Sequence, residues 1–212
     1  MIISGELYSS QKARLREIRM IINIDKTGTI EGLEKIIDNA ISIDGSNSLV
    51  ILSCDNNNFV PENIDDILTK IMVPVIGGIF PALIYKNEKI VKGSIIIGIQ
   101  KKLNFITIPF LSDDNVNYDI LLNEKISDQD NFRTVFVLLD GYSKRISTFI
   151  DSLYNIIGCD TNYVGAGAGS LNIKRTPCLF TNEGLISDSA VIFGLDINSS
   201  VGVSHGLSLI HI

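Results

Sequence analysis

Two stretches of this chain recur in the same order, and that recurrence limits the possible folds more than any other feature. IDDILTKI (Ile64 to Ile71) aligns without a gap with IDSLYNII (Ile150 to Ile157). YKNEKIVKGSIII (Tyr85 to Ile97) aligns in the same way with FTNEGLISDSAVI (Phe180 to Ile192), sharing an Asn-Glu turn, apolar residues after it and a serine before the last apolar run. A strand–helix–strand–hairpin unit has one apolar face that must be covered. Two such units, stacked or joined through one sheet, cover each other. The expected fold class is therefore mixed α/β (α+β), with internally duplicated strand-helix-strand-hairpin units packing through β-sheets, the repeats spanning about 45–110 and 130–206.

Composition supports a folded, sheet-rich domain. Of the 212 residues 45% are hydrophobic and 20% charged, enough to build a sizeable core and too apolar for whole-chain disorder. Isoleucine and valine are abundant and alanine scarce, which favours strands over a helical bundle. The net charge is −6, and no basic cluster exceeds Lys101-Lys102 or the IKR of Ile173 to Arg175, so nucleic acid is not an expected partner. Three scattered cysteines, Cys54, Cys159 and Cys178, fit neither a CxxC pair nor a zinc spacing and read as free thiols in a reducing compartment. With no N-terminal signal pattern and apolar runs of only about seven residues, the expectation is a cytoplasmic chain with no membrane partner.

Along the chain, Ile30, Leu33, Ile36, Ile37 and Ala40 lie at helical spacing behind Thr29, a suitable cap. SLVILSC is a buried strand, PENIDDILTKI a helix opened by Pro61, and MVPVIGGIF the next strand. A hairpin around Lys86 to Lys89 and a strand LNFITIPF follow; YDILLNEKI is a short helix. The second cycle has a strand RTVFVLLDG and a helix ISTFIDSLYNIIG, then strands in NYVGAGAG, KRTPCLFTN, GLISDSAVIFGLD and SVGVSHG.

The segment GAGAGS, Gly165 to Ser170, invites a phosphate-loop reading. A P-loop needs GxxxxGK[ST], and here Gly169 is followed by Ser170, Leu171 and Asn172. A dinucleotide fingerprint needs a following helix, whereas KRTPCLF is extended, so no nucleotide cofactor is expected. Glycines at a strand end in both cycles (Gly77 and Gly78 in the first) point to close backbone approach or a turn; room for a small ligand is the other reading. Arg175 directly after them could clamp a carboxylate or belong to a solvated turn. His205 and His211 make no metal motif. A nucleophile drawn from Cys159 or Cys178 would have only His205 as base, and Cys178 lies in an apolar run where an inert thiol is expected.

The residues GAGAGSLNIKRTPCLFTNEGLISDSAVIFGLDINSSVGVSHG, Gly165 to Gly206, resemble the N-terminal part of the FIST domain, and VIGGIFPALIYKNEKIVKGSIIIGI is similar to the family's earlier strand-and-hairpin element. The resemblance covers about 25–206, leaving 1–24 as an N-terminal lead and 207–212 as a truncated or non-native tail, because LSLIHI replaces the family's aromatic and proline. It implies a non-catalytic sensory module that binds a small polar metabolite or amino acid and passes a signal to an output domain or protein outside this chain. By position, the ligand-binding candidates are Gly167, Gly169, Arg175, Asp188, Ser204 and His205, with no metal and no cofactor. Two alternatives stand beside it: a cysteine–histidine hydrolase or transferase, and a structural assembly domain.

Overall fold

The computed structural model describes residues 19–126, 132–171 and 175–195. In chain order it contains β1 (Met20–Asp25), α1 (Ile30–Asp38), β2 (Ser48–Cys54), α2 (Pro61–Leu68), β3 (Val75–Phe80), β4 (Leu83–Tyr85), β5 (Glu88–Ile90) and β6 (Ser94–Ile99). Then come β7 (Ile106–Ile108), α3 (Tyr118–Lys125), β8 (Thr134–Asp140), α4 (Ile146–Ile157), β9 (Asn162–Ala168), β10 (Leu179–Thr181), β11 (Gly184–Ile186) and β12 (Ala190–Leu195). The expected helices all form. Thr29 caps α1, its hydroxyl accepting the Gly32 N–H at 3.1 Å. Pro61 opens α2 where a missing N–H costs nothing, and the Asn63 side chain accepts the Val60 N–H at 3.0 Å.

The strands form a six-stranded sheet in the order β1-β6-β2-β3-β10-β11, a four-stranded sheet in the order β7-β12-β8-β9, and a separate β4-β5 hairpin. In the first sheet β2 runs parallel to β3 and antiparallel to β6, which is antiparallel to β1. In the second, β8 runs parallel to β9 and antiparallel to β12, which is antiparallel to β7. The period-two alternation of a strand decides what lies between the layers. Along β8, Val135, Val137 and Leu139 join the α3 and α4 residues Tyr118, Leu122, Phe149 and Leu153. Phe136 and Leu138 instead join a core containing Val50 of β2 and Val191 and Phe193 of β12. The Phe136 and Phe193 rings stack 4.7 Å apart, centroid to centroid. The layers are thus helices, sheet, sheet, helices: a mixed α/β fold.

Three strand expectations need correction. GLISDSAVIFGLD, expected as one strand, is two: β11 pairs with β10 in the larger sheet, β12 with β7 and β8 in the smaller. The break falls at Asp188, whose φ of 48° cannot continue a strand. LNFITIPF and KRTPCLFTN form strand only over Ile106–Ile108 and Leu179–Thr181. The strand expected in SVGVSHG lies outside the described residues.

β10 leaves its own half to pair antiparallel with β3, setting Leu179 opposite Gly78 and Phe180 opposite Gly77. Asn182, read from sequence as a turn residue, is a clamp between the halves. Its side chain accepts the Val75 N–H at 2.8 Å and donates to the Ile71 and Val73 carbonyls at 3.0 and 2.9 Å.

Candidate functional site

The parallel strands β8 and β9 end side by side, and open α/β sheets place their ligands outside such carboxyl ends. Asp140 closes β8 and is buried. Its two carboxylate oxygens hold two backbone donors: Oδ1 accepts the Tyr142 N–H at 3.0 Å and Oδ2 the Asp188 N–H at 2.7 Å. The Asp188 Oδ1 in turn accepts the Ser112 hydroxyl at 2.5 Å and the Ser143 hydroxyl at 3.0 Å. Asp188 therefore braces three loops, and its left-handed backbone directs the chain from one sheet to the other.

The glycine segment divides by residue. Gly165 and Gly167 lie in β9, while Gly169 follows it with φ +142°, a conformation that side chains rarely adopt. A Cβ on Gly169 would stand 2.9 Å from the Tyr142 ring, and the Gly169 N–H donates to the Ile79 carbonyl at 2.7 Å. Tyr142 reaches across to bond the Ser170 carbonyl through its hydroxyl, and the Ser170 hydroxyl donates to Asp55 at 2.8 Å. Arg175 is exposed and donates through Nη2 to the Tyr142 carbonyl at 2.8 Å. It has no carboxylate partner among the described residues. Gly169, Arg175 and Asp188 are thus tied to one loop, residues 140–143; Gly167 is in the adjoining strand, its absent Cβ 3.3 Å from Gly141. Ser204 and His205 lie outside the described residues.

Sequence reasoning missed Asp140 and Tyr142, the two residues that organise this cluster. The signal available was the apolar run TVFVLLD ending in a carboxylate followed by Gly141, the usual place for an acid that caps a strand-end turn.

Cys178 sits beneath the cluster, 2% exposed, and burial, reinforced by the neighbouring Asp140 charge and hydrogen bond, pushes its thiol far above the ordinary range. Burial also raises Cys54, whose thiol donates to the Ile90 carbonyl at 3.3 Å. A raised pKa means less thiolate at neutral pH, the opposite of what a nucleophile needs. A thiol reagent is expected to modify exposed Cys159 quickly in the native chain and to reach Cys54 and Cys178 only on unfolding. One fast equivalent rising to three in denaturant is the checkable result. Among the described residues no three His, Cys, Asp or Glu side chains converge to hold a metal ion, and no helix is long and apolar enough to cross a membrane.

The FIST N domain family matches residues 48–211, from the first residue of β2 past the end of β12, so that every described strand but β1 falls within it. The chain belongs to the FIST N domain family. No curated protein matches it. FIST domains are in general sensory input modules, and in this FIST N domain the cluster at the β8 and β9 ends falls within the matched region.

Proposed function

We propose that this FIST N domain is a non-catalytic sensory input module that binds a small polar ligand, of the amino-acid class, at the ends of β8 and β9. The observation that carries the reading is Arg175: a guanidinium tethered by one backbone bond beside Gly169, with no carboxylate neutralising it among the described residues. Such a fork suits a ligand carboxylate, which it binds through two parallel N–H donors. Asp188 and the backbone around Gly167 and Gly169 supply nearby polar groups. Two related halves, each a strand-helix-strand-hairpin unit, share the strand order and senses described above; we read them as a duplication, with the ligand placed in the second copy only. The ligand acts on an output domain or protein outside this chain in the cytoplasm, and does so only in so far as it prefers one of two conformations.

The test is a thermal-shift screen of the full chain with the standard amino acids and common metabolites. At a free concentration about a hundredfold above Kd, a true ligand adds about 2.7 kcal/mol of stability. Arg175→Ala is expected to keep its own unfolding transition and lose the ligand's upward shift. A shift that survives the substitution, or none anywhere in the screen, would sink the proposal.

A further inference from the structure

The two sheets do not close on each other along their whole length. Between them lies a cavity of about 470 Å3, within the usual span for small-molecule sites of about 300–1,000 Å3. Val50 and Leu52 of β2 form one wall, and Phe136 and Leu138 of β8 the facing wall. Among its lining residues Ile84 of β4, Gly165 and Ala166 of β9 and Met20 of β1 are exposed, and we take the gap between β4 and β9 as its mouth. Among the described residues no charged side chain lines it.

The reason for the opening is a difference between the two hairpins. The β10-β11 hairpin seals the outer edge of β3. β9 ends its sheet as β3 ends the corresponding run of four strands, yet among the described residues β8 is its only strand neighbour. The β4-β5 hairpin faces β9 across the mouth without joining it, and Ile84 is left 80% exposed there. Glycine and alanine at 165 and 166 contribute almost no side chain to close the gap. An uncharged cavity with walls from two sheets holds water poorly, because water there finds few polar partners.

We infer that this inter-sheet cavity is a second ligand site, selective for a neutral aliphatic molecule that enters between β4 and β9. Charge decides the class: a carboxylate or ammonium inside would lose its hydration and find no counter-charge among the described wall residues. The site is separate from the Arg175 cluster, none of whose residues lines the cavity, so the two proposals stand or fall apart.

The experiment titrates the full chain with straight-chain alcohols from hexanol to dodecanol, followed by calorimetry and by methyl NMR shifts of the wall residues. Affinity is expected to rise about fourfold per methylene until the cavity is full, and then to level off. Val164→Trp, which fills the mouth, is expected to weaken binding at least tenfold, whereas Ile43→Trp, on the exposed turn after α1, leaves it unchanged. Should Val164→Trp fail to fold, Ala166→Leu on the same face of β9 serves the same purpose. The inference is overturned by the absence of alcohol binding, by binding equal in the mouth and control variants, or by binding that emerges only after residues 196–212 are removed. That last result would mean that the chain itself occupies the cavity.

Discussion

Gly77→Val is expected to yield no stably folded protein. Gly77 lies in mid β3, opposite Ile51 of β2, and a Cβ there would stand 1.9 Å from the Ile51 carbonyl oxygen. The obstacle is backbone, not the tip of a movable side chain, so relief requires β2 and β3 to part. On the other side β10 sets Phe180, wholly buried, against the same glycine. Overpacking alone costs about 1–3 kcal/mol, and loss of the parallel pairing adds to it, against a total stability of about 5–15 kcal/mol. The informative comparison lies inside the second glycine segment. Gly165→Ala brings a Cβ to 2.4 Å from the Val137 carbonyl oxygen and should be severely destabilising. Gly167→Ala meets nothing nearer than the Gly141 Cα at 3.3 Å and should cost less than about 1 kcal/mol. Urea midpoints for the three variants check the order; equal losses at 165 and 167 would refute the steric account.

Asp140→Ala is the second large effect, expected to lower the unfolding free energy by about 2–4 kcal/mol. The substitution strips the Tyr142 and Asp188 N–H groups of their acceptor at a buried position, and each orphaned donor carries its own desolvation penalty. Asp140→Asn retains one acceptor oxygen but turns an NH2 group toward the other donor, so roughly half the loss is expected. A second readout separates this from generic core damage. Asp140 is among the causes that hold the Cys178 thiol up, so its removal should move that thiol's pKa down, while burial, the larger cause, keeps it above the usual range. An unchanged Cys178 titration in a folded Asp140→Ala variant would contradict the contact.

Local features of this fold were legible from the sequence because their causes are local. Thr29 ahead of an amphipathic run, Pro61 at a helix start and the alternation in TVFVLLD each act within a few residues. The aligned segments also agree in conformation: Gly93 and Asp188 hold the same place in the alignment, and both have positive φ. Ser94 and Ser189, one residue on, are both buried. Reading GLISDSAVIFGLD as one strand failed because aspartate tolerates the left-handed region without announcing it as glycine does. Which strand edge β10 joins was not legible at all, since its partner β3 belongs to the other half and no periodicity encodes that choice. The same limit applied to the candidate site. Arg175 could be named from its neighbours, but the loop to which it is tied, 140–143, enters from a distant part of the chain.

The placement of β10 against β3 has a consequence during synthesis on the ribosome. When residues 1–100 have emerged, β1, β2, β3 and β6 are all available, yet the Gly77–Gly78 edge of that sheet has no occupant until Leu179–Thr181 is translated. A nascent chain halted between those points presents a bare, apolar strand edge, the kind of surface that chaperones guard and neighbouring chains capture. Expression of the first half alone should therefore give aggregates, and supplying 134–195 as a separate polypeptide should rescue its solubility.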